Sequence, residues 1–187
     1  MKKMNFYPTI WSTVPFAPNA IGDWYAAERR NKELILKNEA ATALRVSEMV
    51  LNITKFSAID EQGHEHFIVD FPGQNPVSLK GISSGSFLRS RSVLSLPKGN
   101  YVSLRLYLAD WGNQFIYQDG EVESANSFDH LDFAIEDGFQ VEDGETLEVK
   151  LWFDFAPFQW RRHFKPFTDL FMRSKSPRPR LANSFGN

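Results

Sequence analysis

Four side chains in two strongly alternating segments could form a binding surface. They are Tyr101, Arg105 and Tyr107 in one segment and Trp152 in the other. Planar rings beside charged groups suit a sugar or a peptide, because aromatic faces stack while charges fix orientation. A second cluster is acidic. Between Gln118 and Asp154 twelve carboxylates stand against the single base Lys150. Of these, Asp119, Glu121 and Glu123 are near enough in sequence to offer oxygen ligands to calcium, but EF-hand spacing is absent. A solvated face with Asp-Gly turns accounts for the same residues. The third feature is His64-Glu65-His66. Two histidines two apart on a strand share one face and can ligate a metal if a neighbour supplies a third ligand. His130 and His163 are distant in sequence, and a solvated hairpin end explains the pair equally well. No metal site and no cofactor are assigned.

Nucleophilic catalysis finds little footing. Ser84-Gly85-Ser86 lacks the Gly-x-Ser-x-Gly arrangement, and no Gly-rich phosphate loop exists. A small hydrolase working through two acidic strand residues stays open as an alternative, because sequence does not give the carboxylate separation. The absence of cysteine excludes disulfides, Cys-ligated zinc, iron–sulfur clusters and thiol catalysis. Net charge is −2 over 187 residues, yet it is a cancellation. Residues 161–187 carry seven bases against Asp169 alone. There Arg161, Arg162 and Lys165 are interleaved with Trp160, Phe164 and Phe167, which suits an anionic membrane surface or a nucleic-acid backbone. The bland reading, which we favour, is a tail packed on its own domain.

The elements that must position these groups are strands. Residues 1–32 read as an arm punctuated by Pro8, Pro15 and Pro18, with a short helix from Asp23 to Asn31. Its Phe6, Tyr7, Ile10, Trp11 and Phe16 imply that part of it docks. Residues 33–156 are a run of short strands separated by Gly turns, including Asp119-Gly120, Asp137-Gly138 and Asp143-Gly144. Val102, Leu104, Leu106 and Leu108 form one face and Tyr101, Ser103, Arg105 and Tyr107 the other. Leu147, Val149, Leu151, Phe153 and Phe155 point inward and Trp152 outward. Phe56 breaks the alternation of Met49, Leu51 and Ile53, which predicts a bulge or bend near Thr54–Lys55. Residues 81–95 predict a loop with one helical turn. The fold class is all-β, an antiparallel β-sandwich of prealbumin or immunoglobulin type. Residues 157–187 form the basic aromatic tail, its end disordered. The start has no apolar signal core, and no run reaches the roughly 18 apolar residues of a membrane helix. The chain as given therefore predicts neither leader nor span; a sequence that had lost its leader would read the same.

Three stretches, residues 39–60, 96–108 and 131–155, carry a resemblance. Leu96-Pro97-Lys98-Gly99-Asn100-Tyr101, Arg105-Leu106, Gly138-Phe139-Gln140-Val141 and Phe153-Asp154-Phe155 are its motifs. Together they resemble the bacterial domain-of-unknown-function family 4382, found in lipoproteins and other exported proteins. The likeness covers about 120 residues. It implies a carboxypeptidase-regulatory or prealbumin-like sandwich in the cell envelope or periplasm, with no catalytic residues. The chain departs from that family in lacking a lipid-bearing cysteine and in adding the aromatic–basic tail. The expectation is thus a non-enzymatic extracytoplasmic binding or structural module. It engages a protein or glycan through Tyr101, Arg105, Tyr107 and Trp152 or through an edge strand.

Overall fold

A computed structural model describes residues 16–18, 31–69, 71–90, 95–143 and 148–159. The expected helix at 23–31 lies outside them except for Asn31, which begins a strand. The basic tail from Trp160 onward also lies outside them.

The chain is all-β. Its strands are β1 (Phe16–Pro18), β2 (Asn31–Lys37), β3 (Val46–Asp60), β4 (Glu65–Phe67), β5 (Gln74–Lys80), β6 (Leu88–Ser90), β7 (Gly99–Leu108), β8 (Gln114–Tyr117), β9 (Val122–Ser124), β10 (His130–Val141) and β11 (Glu148–Phe153). Among the described residues one short helix, α1 (Glu39–Ala43), and one 3-10 turn (Ile82–Ser84) interrupt them. The 3-10 turn falls in the segment expected to hold a helical turn. Helix α1 was not expected. Its signal is Asn38, whose side-chain oxygen accepts from the Ala41 amide at 2.8 Å. The Asn38 amide also donates to the Asp132 carbonyl at 2.9 Å, so the cap pins α1 to β10.

The strands form one curled mixed sheet, a half-barrel, in the order β1-β6-β11-β2-β10-β7-β3-β8-β9, with β4 and β5 also on β3. A purely antiparallel arrangement was expected. The β2–β11 pair is parallel instead, from Asn31 opposite Glu148 to Leu36 opposite Phe153. An early strand and the last strand of the body meet there at a seam, so no hairpin dictates their direction. The curl brings the end of β5 back to the end of β11, where Gly81 bridges Phe153. β1, from the N-terminal arm expected to dock, adds to β6.

β3 organises the whole. Its second half pairs with β7 and β4, its first half with β8 and β5. Register shifts lie between Leu51 and Ile53 against β5 and between Ile53 and Lys55 against β7. This is the bend the sequence predicts near Thr54–Lys55. It lets one strand serve two differently directed sets of partners. The core fills the inside of the curl. Phe133 stands 5.4 Å from Phe153, which stands 5.6 Å from Phe155. Phe56, Phe115, Phe133 and Phe153 are each essentially buried. Each such ring contributes about 2–3 kcal/mol of transfer free energy.

Candidate functional site

The outward face of β4, β3, β7 and β10 holds a polar network in register. Ser57 on β3 pairs with both Phe67 on β4 and Arg105 on β7, and Arg105 pairs with Asp132 on β10. Strand pairing therefore places these side chains on one face. The Arg105 guanidinium donates to both Asp132 oxygens, Nε at 2.6 Å and Nη2 at 2.7 Å. Its Nη1 lies 3.8 Å from Glu65. Glu65 accepts from the Ser57 hydroxyl at 2.6 Å and from the Tyr107 hydroxyl at 2.8 Å. Burial pushes the Glu65 carboxyl up, but the two hydroxyls and the Arg105 charge outweigh it, and the net shift is downward. Burial and the bond to Glu65 raise the Tyr107 phenol. The Asp132 bond holds the Arg105 proton more firmly still.

Rings cover this network. Phe67 stacks on Tyr107 with centroids 5.7 Å apart and planes 28° apart. His130 lies on Tyr107 at 5.7 Å, and Lys55 Nζ sits 6.0 Å from the centroid of the same ring. Phe67 is 46% exposed, so its outer surface is open to solvent. Sequence reasoning found Arg105 and Tyr107 and missed Phe67, Glu65 and His130. The missing signal for Glu65 was period two: it sits between His64 and His66 and so faces away from them.

Tyr101 is not part of this face. Alternation puts it outward and Val102 inward, and the structure reverses both. Tyr101 is 1% exposed and Val102 is 40% exposed. Against β3 the register shifts between Ser103 and Tyr101, where the single step from Ile59 to Asp60 meets two steps on β7, so Val102 is an extra residue in β7. Against β10 the extra residues lie in β10 itself, between Ala134 and Phe139. One extra residue exchanges the two faces for everything beyond it. The inward Tyr101 hydroxyl donates to the Pro97 carbonyl at 2.7 Å, and its ring meets Phe139 at 5.3 Å and the edge of His66 at 5.5 Å. It is a core residue that ties down the turn at residues 96–100.

Trp152 does face outward, at a second centre. It lies on β11, with β2 and β10 between it and Tyr107. Its indole Nε1 donates to Glu33 at 3.3 Å, and its ring packs on Phe87 at 4.8 Å. Lys150 donates to Glu33 at 2.8 Å and sits 5.5 Å from the Phe87 centroid. The Lys150 and Trp152 donors hold the Glu33 carboxyl below its usual range. Phe87 also walls a cleft of about 330 Å³ between β5 and β6, lined by Val77, Leu88 and Phe153.

The histidine pair meets a carboxylate. His66 Nε2 and His64 Nδ1 lie 2.9 and 3.3 Å from the same Asp60 oxygen. The other Asp60 oxygen accepts the Gln62 and His64 amides at 2.9 and 2.8 Å. Asp60 is thus the centre of a tight turn. The His66 bond and the two amides outweigh burial and depress its carboxyl to about 2. In the β8–β9 hairpin, Asp119 accepts from the Glu121 amide at 3.3 Å and Glu123 accepts from the Tyr117 hydroxyl. Among the described residues no group of three His, Asp or Glu is placed to hold a metal ion. No helix among them is long and apolar enough to cross a membrane. Arg161, Arg162 and Lys165 lie outside the described residues.

Compared with known proteins, the chain matches no family model, no curated protein and no solved structure.

Proposed function

We propose that the protein is a non-enzymatic binding module that takes a neutral glycan on the outward face of β4, β3, β7 and β10. The observation that supports this most is that the charges under the rings are already paired with one another. Glu65 and Asp132 stand beside Arg105, and Lys55 lies over Tyr107. Two carboxylates and two cations balance, so the face presents no surplus charge to an ionic ligand. The network also fixes the Tyr107 ring, which lowers the ordering cost of binding. Hydroxyl groups of a sugar can use the remaining lone pairs of Asp132 and Glu65 while its apolar face lies on Phe67 or Tyr107. A protein partner fits less well, because charged groups occupy the middle of the patch and protein interface cores are depleted in them. The prealbumin-like sandwich and the extracytoplasmic setting implied by the resemblance to family 4382 belong to the same proposal. Its Leu-Pro-x-Gly-x-Tyr motif is used structurally here, through Tyr101 and Pro97.

The test is calorimetric titration of the full chain with neutral linear oligosaccharides of glucose, xylose and mannose. Tyr107→Ala is expected to weaken binding by about tenfold or more, the loss of one central aromatic contact. Binding unchanged by Tyr107→Ala, or no binding to any of the series at millimolar concentration, would overturn the reading.

A further inference from the structure

Resting on that reading, we infer that the ligand is a chain, not a single sugar, and that it runs across the strands from the Tyr107 centre to the Trp152 centre. The pairing register carries the inference. Arg105 pairs with Asp132, Ala134 with Lys37, and Ile35 with Trp152. Paired residues share a face, so Tyr107 and Trp152 lie on the same outward side of one continuous sheet. From β7 to β11 there are three strand-to-strand steps, through β10 and β2. At roughly 4.8 Å each these steps cover about 14 Å. The register adds about six residues along the strands, from His130 beside Tyr107 to the level of Ile35 beside Trp152, or roughly 20 Å, so the two centres lie about 24 Å apart on a diagonal.

The ground between them is low and flanked. Asp132 and Lys37 lie on that diagonal, with the uncharged Ala134 and Ile35 beside them. Their polar neighbours are already engaged: Lys37 donates to Glu136 at 2.6 Å, beside the Arg105–Asp132 pair at one end and the Lys150–Glu33 pair at the other. Each end of the line has a half-open ring pair, Phe67 with Tyr107 and Phe87 with Trp152. Two stacking platforms joined by a floor whose charges are held in ion pairs fit an extended neutral polysaccharide. The second platform then acts as an intramolecular binding event whose effect is lost when the ligand is too short to reach it.

The experiment is calorimetric titration with neutral linear oligosaccharides from disaccharide to hexasaccharide, in the cello- and manno-series. Affinity is expected to climb with length and then level off. Trp152→Ala is expected to flatten the climb, lowering hexasaccharide affinity about tenfold and leaving the disaccharide unchanged. Tyr107→Ala should weaken every length. Phe87→Ala is the second variant. It removes the ring beside Trp152 from a position outside the strands, so it tests the platform if Trp152→Ala does not fold. Length-independent affinity, with Trp152→Ala and Phe87→Ala silent and Tyr107→Ala still harmful, would overturn the chain-spanning inference and leave the single-centre reading standing. Binding that ignores Tyr107→Ala at every length would overturn both.

Discussion

Replacing Asn113 by alanine should be among the most damaging single changes at the bend of β3. At the bend, the register shifts deprive Asn52 of a regular strand partner. Its amide donates instead to the Asn113 side-chain oxygen at 2.8 Å, and the Asn113 side-chain nitrogen donates to the Ala109 carbonyl at 2.5 Å. Asn113 is 0% exposed and Asn52 is 3% exposed, so water does not stand in easily. Asn52 in turn donates to the Trp111 carbonyl at 2.8 Å, where Gly112, with φ +73°, leaves room for the amide. Alanine at 113 leaves the buried Asn52 amide without a partner and the half-buried Ala109 carbonyl without its donor. The first costs roughly 1–3 kcal/mol and the second up to about 1 kcal/mol, so the sum is about 1–4 kcal/mol. With a melting shift of about 2–4 °C per kcal/mol for a chain this size, a 3 kcal/mol loss lowers Tm by about 6–12 °C. Urea unfolding gives the free energy directly, with an unchanged slope confirming that the same surface is exposed. Asn126→Ala is the control. Asn126 is exposed and accepts from the Asn113 amide at 2.8 Å, which water can replace, so it should cost under about 1 kcal/mol. An Asn113→Ala loss no larger than that of Asn126→Ala would refute the view that this amide holds the bend.

Two further outcomes follow from the closure and the histidine turn. Gly81→Ala places a methyl 2.8 Å from the Phe155 backbone carbonyl at the bridge that closes the curl. With φ at −61° the backbone itself is unstrained, so the loss of about 1–3 kcal/mol in urea unfolding is steric. Asp60 has a folded-state value of about 2 against 3.8 unperturbed. Its contribution to stability is therefore full above about pH 4 and is lost as pH falls through 2. Asp60→Asn should flatten that acid limb when urea midpoints are compared between pH 2 and 5, and parallel limbs would count against the assignment.

The sequence carried the parts of the fold that depend on near neighbours. Alternation in residues 104–108 and 149–155 identified the buried rows and the outward Arg105, Tyr107 and Trp152. The broken phase at Phe56 located the bend in β3. What it could not carry was the effect of one strand on another. Nothing local to β7 marks Val102 as an extra residue, because the bulge exists only relative to β3, and so Tyr101 is assigned to the wrong side. The parallel β2–β11 seam is likewise a meeting of segments more than a hundred positions apart. Phe67 and His130 belong to the site only because β4 and β10 are brought beside β3 and β7 at one level.

The same bulge separates the two jobs of β7, and this bears on how the site tolerates change. On the Arg105 side of Val102 the outward residues form the face; beyond it Tyr101 turns in and anchors the 96–100 turn. Tyr101→Phe removes only the hydroxyl bond to Pro97 and leaves that carbonyl near the surface. It should cost about 1 kcal/mol in stability without changing glycan affinity. Tyr107→Phe removes a comparable hydroxyl from Glu65 but keeps the ring. If stacking carries binding, its affinity should stay within about threefold of the natural protein, whereas Tyr107→Ala loses tenfold or more. Equal losses from both Tyr107 variants would mean that the Glu65 network, and not the aromatic surface, makes the contact. The ligand would then have to be one that competes for hydrogen bonds, and the stacking role given to Phe67 and Trp152 would fall with it.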